Sequence, residues 1–240
     1  MKILITGGTG FLGTNLSESL AREDNKILLI DNLIRKGSEK NLSEVDKNKS
    51  ISFQNIDISD QKKVTKVIKD FKPDIILHFA AQVAMTTSIE NPILDFKTNA
   101  FGTLCILEAI RNFNPKCALI YSSTNKVYGD LEQFDYSENQ FRYFCDSFPE
   151  GFDENIPLEF HSPYGCSKGS ADQYVLDYAR IFGLKTCVYR HSSMYGQKQN
   201  SSYDQGWIGW FCNQALHQKN SLKSKSFTIS GNGKQVRDIL

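Results

Sequence analysis

The chain has 240 residues, 28 basic against 27 acidic for a net charge of +1, with 40% hydrophobic and 23% charged residues. That balance argues against a broad electrostatic surface for nucleic acid or an anionic membrane, and no apolar run reaches the ~20 residues of a membrane span. The six cysteines form no CxxC pair and the four histidines have no short metal-ligand spacing. Free thiols in a reducing cytoplasm and no metal site are therefore expected.

Met1-Lys2 leads straight into an apolar run without a small-residue cleavage site, so no signal peptide is expected. "KILIT" (2–6) reads as a buried strand, "FLGTNLSESLAR" (11–22) as a helix and "KILLID" (26–31) as the next strand. "ISFQNID" (51–57) alternates toward a third strand, and "DQKKVTKVIKDF" (60–71) has helical spacing before Pro73. "DIILHFA" (74–80) is a further apolar strand, "ILDFKTNAFGTLCILEAIRNF" (93–113) reads as one long helix, and "CALIYSS" (117–123) as a strand. Ser162 suits an N-cap and Pro163 the first helical position, so a helix starts there, before the strand "KTCVYRH" (185–191). Strands that are apolar throughout and separated by helices predict a parallel sheet covered on both faces, a doubly wound α/β fold with right-handed crossovers.

Residues 130–160, acidic and aromatic with Pro149 and Pro157, break this rhythm. They read as an irregular insertion of the kind that often forms a lid. A helix is expected around 207–218, then a solvated basic loop, "HQKNSLKSKS" (217–226). The last residues fall inside what reads as a strand after "GNGKQVRD", so the chain is expected to be cut within a domain and, alone, to bind cofactor poorly or turn over little. The expected organisation is a dinucleotide-binding domain over 1–191 carrying the insertion, then the start of a substrate-binding domain over 192–240.

"ITGGTGFLG" (5–13) satisfies G-x-G-x-x-G with Gly8, Gly10 and Gly13, and Gly7 adds the G-x-x-G-x-x-G variant. Its place between a strand and a helix is the context a dinucleotide site of the Rossmann type requires. Missing side chains let the backbone approach a pyrophosphate, whose charge the helix N-terminus holds. Asp31 ends the second strand, where a carboxylate accepts from both hydroxyls of an adenosine ribose and repels a 2′-phosphate. That favours NAD, with Arg35 and Lys36 close by leaving NADP as the alternative.

"YSSTNKVYG" (121–129) puts Ser122, Ser123 and Thr124 beyond the carboxyl end of a strand, where open α/β sheets hold ligands. In "HSPYGCSKG" (161–169), Tyr164 and Lys168 are four apart and share a helix face. A phenol near pKa 10 is a poor base at neutral pH, and a nearby ammonium favours its phenolate. Tyr-x-x-x-Lys is the spacing that a tyrosine base needs.

These motifs resemble the extended short-chain dehydrogenase/reductase superfamily, in particular its nucleotide-sugar epimerases and dehydratases. "DNLIRKG", "AAQVAMTTSIENP", "YSSTNKVYGDLEQ", "FHSPYGCSKG" and "RHSSMYG" narrow the likeness to epimerases that act at C2 of CDP-linked dideoxy sugars. The resemblance implies tightly held NAD, a proton taken by Tyr164, a pKa-lowering Lys168 and a hydrogen bond from Thr124 to the reacting hydroxyl. It implies a cofactor set of Gly7, Gly10, Phe11, Leu12 and Gly13, then Asp31, Asn32 and Arg35, with Asp57 and Ile58 flanking the adenine. Ala80, Ala81 and Gln82 would line the cofactor, Asn99 would support their loop, and Ser122, Tyr164, Lys168 and His191 complete the set. On the substrate side it implies Met85, Thr86 and Ser88, with Thr124, Ser193 and Arg237; many relatives carry an asparagine at the position of Ser193. Where related 4,6-dehydratases usually have Thr-Asp-Glu this chain has Thr124-Asn125-Lys126, and an amide and an amine cannot replace that acid and base. A UDP- or dTDP-sugar 4-epimerase and a non-catalytic nucleotide-binding module remain the alternatives. Members of the superfamily often dimerise through the tyrosine helix and the long helix before the threonine strand.

Overall fold

In a computed structural model of the chain, residues 1–45, 47–219, 231–237, 239 and 240 are described. The strands are β1 (Lys2–Thr6), β2 (Lys26–Asp31), β3 (Ile51–Asn55), β4 (Ile75–His78), β5 (Ala118–Ser122), β6 (Ser137–Glu138), β7 (Tyr143–Phe144) and β8 (Lys185–Tyr189). The helices are α1 (Phe11–Leu20), α2 (Ser38–Val45), α3 (Gln61–Phe71), α4 (Met85–Glu90), α5 (Pro92–Phe96), α6 (Gly102–Phe113), α7 (Ser162–Phe182) and α8 (Trp207–Lys219). Six strands pair in the order β3-β2-β1-β4-β5-β8, every ladder parallel. The chain order reverses between β1 and β4, the crevice where open α/β sheets bind ligands.

The apolar strands alternate between two cores, as a period of two demands. Leu4, Leu28 and Ile30 point into the larger cluster with α3, α6 and α7, while Ile3, Ile5, Ile27 and Leu29 point into the other, beside Leu16 and Leu20 of α1. Each fully buried Leu or Ile stabilises the fold by about 1.5–3 kcal/mol, so both faces hold the sheet. Three elements differ from the expectation, the first being α4, a short helix over Met85–Glu90 where the sequence reading offers none. The helix read over 93–113 is broken: α5 and α6 are joined by a π-helical turn, Lys97–Phe101. And α2, "SEKNLSEV", went unread because its polar sequence offers only Leu42 and Val45 to the core.

The insertion forms a two-stranded β6–β7 ribbon and a small aromatic cluster of Phe134, Phe148 and Phe152, with ring centroids 4.9–5.2 Å apart. It leans on the residues near the chain end, where Tyr143 N–H donates to the Lys234 carbonyl at 3.1 Å. Ile239 bridges in parallel to Ser193. Of the basic run "HQKNSLKSKS", residues 220–226 lie outside the described residues.

Candidate active site

A cleft of about 930 Å³ opens at the carboxyl ends of the strands over the β1–β4 switch. Its floor is the glycine loop. Gly7 has φ +65°, and a Cβ there would lie 2.7 Å from Ala80 N; a Cβ on Gly13 would lie 2.4 Å from Gly7 O. These two glycines pack the loop against β4 and against α1. Gly10 differs: it precedes α1 without a side-chain cap, and a Cβ on it would meet only Gly7 O at 3.2 Å. The open side above the uncapped N–H groups of a ten-residue helix suits an anion. Thr9 is fully buried with its Oγ1 unpartnered, at the cleft wall. Asp31 accepts from Leu33 N–H at 2.9 Å and Thr9 N–H at 3.3 Å, one bond per carboxylate oxygen, which leaves further lone pairs for hydroxyls.

The loop after β4 is held from behind by neutral groups. Ala80 N–H donates to Thr6 Oγ1 at 3.1 Å, which lies 2.6 Å from His78 Nδ1; His78 Nε2 lies 2.9 Å from Thr103 Oγ1, which donates to the Asn99 carbonyl at 2.6 Å. Because Thr103 spends its proton on Asn99, the histidine must carry its own on Nε2 and leave Nδ1 to accept from Thr6. Burial, and secondarily Lys168, push its pKa down to about 3 and keep it neutral. Asn99, presented by the π turn, accepts from Gln82 N–H at 2.8 Å and donates to Gln82 O at 3.0 Å. The buried Asp95 accepts from Gln82 Nε2, Asn99 Nδ2 and Ser167 Oγ; burial holds its carboxyl above the usual range against these bonds.

At the other end, one face of α7 meets three successive residues at the carboxyl end of β5, Ser122 to Thr124. Ser162 Oγ accepts from Gly165 N–H at 3.2 Å, as an N-cap residue does, and takes φ +62°, a strained conformation beside Tyr164. Tyr164 lines the cleft together with Thr124, whose hydroxyl lowers the pKa of the phenol. Lys168, 3% exposed, donates from Nζ to the Ser122 carbonyl at 2.6 Å and lies 4.3 Å from the Tyr121 ring centroid. Asp172, fully buried, accepts from Ser123 Oγ at 2.6 Å. Positions i, i+4 and i+8 of the helix thus address Thr124, Ser122 and Ser123. Burial lowers the Lys168 pKa to about 7 against the pull of Asp172 and Asp95. The Tyr164 phenol is raised, by burial first and then Asp95. The Thr124 hydroxyl opposes that rise, and Lys168 stands one helical turn along the same face.

Most of the expected residues converge. Gly7, Gly10, Phe11, Leu12, Asp31, Asn32, Arg35, Asp57, Ile58, Ala80, Ala81, Gln82, Ser122, Thr124, Tyr164, Lys168, His191 and Ser193 all line the cleft. Others do not. Gly13 packs beneath the loop and Asn99 stands behind it, each acting on a lining residue instead of lining the cleft. Ser88 is fully buried with its Oγ on the Met85 carbonyl, and Met85 and Thr86 stay outside the lining, Thr86 Oγ1 donating at 3.2 Å to Asp204, which does line the cleft. From that helix Thr87 lines the cleft instead. Arg237 is exposed and outside it. The insertion is no wall either: nothing between 126 and 163 lines the cleft. The missed wall is the segment 194–207, which crosses to the β1–β2 half. Lys198 pairs with Glu18 and with Glu44, Asn41 Nδ2 donates to the Lys198 carbonyl at 3.1 Å, and Arg35 reaches Gln205. No periodicity announces it; its place depends on partners more than 150 residues away. Asp172 was readable in principle, as one more step in Tyr-x-x-x-Lys.

Among the described residues no helix is long and apolar enough to cross a membrane, and no group of three or more metal-ligating side chains gathers. The chain is 57% identical over 240 residues to the CDP-paratose 2-epimerase of Salmonella typhi, covering all of this chain and 71% of that protein. Its fold matches the crystal structure of a Thermotoga maritima UDP-glucose 4-epimerase with UDP-glucose at a TM-score of 0.81 and 29% identity, over 100% of this chain and 69% of that one. It also matches a Bacillus anthracis dTDP-glucose 4,6-dehydratase in complex with NAD, at a TM-score of 0.78 and 30% identity, over 100% and 67%. With residues 3–240 matching its pattern, the chain belongs to the NAD dependent epimerase/dehydratase family.

Proposed function

We propose that the protein is a CDP-paratose 2-epimerase that inverts C2 of its sugar with NAD held in the cleft. The residues suit that cofactor on three grounds: the uncapped start of α1 over Gly10, the buried unpartnered Thr9 hydroxyl, and the free lone pairs of Asp31 at the end of β2. Gly7, Gly10, Phe11 and Leu12 would hold the pyrophosphate, Asp31 the adenosine ribose, and Lys168 the second ribose. When bound, NAD⁺ supplies a reversible hydride acceptor and a positive ring that favours the Tyr164 phenolate.

The observation that carries the reading is the meeting of Tyr164, Lys168 and Thr124 at the rim of this cleft. Tyr164 takes the proton from the sugar hydroxyl as its carbon becomes a carbonyl, and gives it back when the carbonyl is reduced from the other face. Thr124 aligns the hydroxyl with the phenol. Lys168, whose pKa burial lowers to about 7, shares the helix face with the phenol and would favour the phenolate when charged. Asn125 lines the cleft where a dehydratase needs an acid, so the chemistry stops at proton and hydride return. The 57% identity to one CDP-paratose 2-epimerase supports the choice of CDP sugar and of C2.

The reading includes a cytoplasmic location, supported by six unpaired cysteines. It includes a homo-oligomer joined through α5–α6 and α7, supported by the exposed Ile93, Phe96 and Phe101. It keeps 1–191 as the cofactor domain and 192–240 as the beginning of the substrate part. Incubation with CDP-paratose, UDP-glucose and dTDP-glucose, with C2 and C4 configurations assigned by NMR, tests it. Inversion at C2 of the CDP sugar with label at C2 retained is expected; inversion at C4, or loss of the C2 label to solvent, would overturn it.

A further inference from the structure

The buried charges behind the active site are more than a scaffold needs. Asp172 is fully buried and Arg190 nearly so, its side chain 14% exposed. Arg190 Nε and Nη2 donate to Asp172 Oδ2 and Oδ1, both at 3.0 Å, and Nη1 donates to Tyr128 Oη at 2.8 Å. Ser123 Oγ donates to Asp172 Oδ2 at 2.6 Å and Gln173 Nε2 to Oδ1 at 3.0 Å. A buried ion pair repays its desolvation poorly and is weak evidence for stability. Its worth lies in what the geometry fixes.

Thr124 sits at the centre of that geometry. It caps the 3₁₀ turn Asn125–Tyr128, its Oγ1 accepting from Lys126 N–H at 3.3 Å. The residue before it is held twice, by Ser123 N–H to the Tyr189 carbonyl at 2.7 Å and by Ser123 Oγ to Asp172. The residue after it donates its N–H to the His191 carbonyl at 2.8 Å. Those two carbonyls flank Arg190, and Arg190 grips the far end of the turn through Tyr128, whose ring centroid lies 5.2 Å from its guanidinium carbon. Asp172 rides on α7 two turns beyond Tyr164.

We propose that the Asp172–Arg190 pair is a positioning device that locks the Thr124 turn to the helix bearing Tyr164, gripping the turn through Ser123 at one end and Tyr128 at the other. It rests on the reading of Tyr164 as the base. A planar fork is required, because three directed donors must reach two carboxylate oxygens and a phenol; a lysine at 190 keeps the charge and loses the lock. Asp172 also faces Lys168 one turn earlier, alongside Asp95 from α5.

The test spares the pair itself, since its removal could unfold the chain. Ser123→Ala with Tyr128→Phe removes one hydroxyl at each grip and leaves the ion pair and the ring at 128. In the NAD-loaded protein, the phenol titration of Tyr164, read as the difference from the same background carrying Tyr164→Phe, should move upward by half a pH unit or more, roughly a threefold change in ionisation constant. The kcat should fall roughly 10- to 100-fold while KM and NAD affinity stay within about twofold. Arg190→Lys should shift the titration the same way. An unmoved titration in the double variant overturns the proposal, whatever turnover does. Should Tyr164→Phe alone keep full turnover, the underlying reading falls instead, and the two failures remain distinct.

Discussion

At the β1–β2 end the cleft floor is backbone, Gly7, Gly10 and the start of α1, with the Asp31 carboxylate at the end of β2 beside it. At the β5–β8 end the walls are side chains with chemistry of their own, Tyr164, Lys168 and Thr124, backed by Asp95, Asp172 and Arg190 in the interior. The first end suits an anion by shape and partial charge, which costs little to keep ready. The second must hold ionisable groups away from water, and its pKa values move accordingly: Lys168 down to about 7, Tyr164 and Asp95 upward. Binding and proton transfer should therefore be separable by mutation.

The largest separation is at the catalytic end. Tyr164→Phe should lower turnover roughly 10²- to 10⁴-fold with NAD affinity within about twofold, measured by NMR of the sugar product and by calorimetric titration of NAD. The next effect is its mirror image. Asp31→Ala removes charge-assisted bonding worth about 1.5–3 kcal/mol in all and should weaken NAD roughly 10- to 100-fold, while kcat at saturating NAD barely moves. A loss of kcat without a loss of affinity at Asp31 would erase the distinction between the two ends.

How far each end was legible follows from the same distinction. The glycine loop is contiguous, its strand–turn–helix context is local, and Gly7, Gly10 and Asp31 stand where the pattern put them. Tyr164 and Lys168 were legible because one helical turn is a fixed ruler. Arg190, Lys198 and Asp204 were silent: each is a lone charge whose meaning depends on Asp172, on Glu18 and Glu44, or on Thr86 and Arg35. Asn99 supports the Gln82 loop as the resemblance implied, whereas Ser88 gives its Oγ to the Met85 carbonyl and stays outside the cleft lining. The break at Lys97–Phe101 was invisible because a π turn keeps helical composition.

A smaller effect comes from between the ends, at His78. Its folded pKa, about 3, lies below the unfolded value of 6.5. The neutral ring thus contributes stability fully above pH 6.5, and that contribution is lost as pH falls from 6.5 toward 3. Urea unfolding at stepped pH should show up to about 1.4 kcal/mol lost per pH unit from this group, and His78→Gln should flatten that slope. The smallest effect lies outside the cleft. His161 bridges Asp130 at 3.0 Å and Glu159 at 3.2 Å across the neck of the insertion, and these carboxylates raise its pKa. The clasp is fully present below pH 6.5 and is lost as pH rises through the higher folded value. Amide exchange within 130–159 should quicken across that rise beyond the intrinsic base dependence, and His161→Ala should abolish the step.

The account turns on a phenolate at Tyr164 within reach of a sugar hydroxyl. Its ionisation can be followed by ultraviolet absorbance, as the difference between the protein and Tyr164→Phe, with and without saturating NAD⁺. The empty protein should form the phenolate only above the ordinary range of a tyrosine, and the loaded protein at distinctly lower pH. Identical titrations in the two conditions would contradict the assignment of Tyr164 as the base.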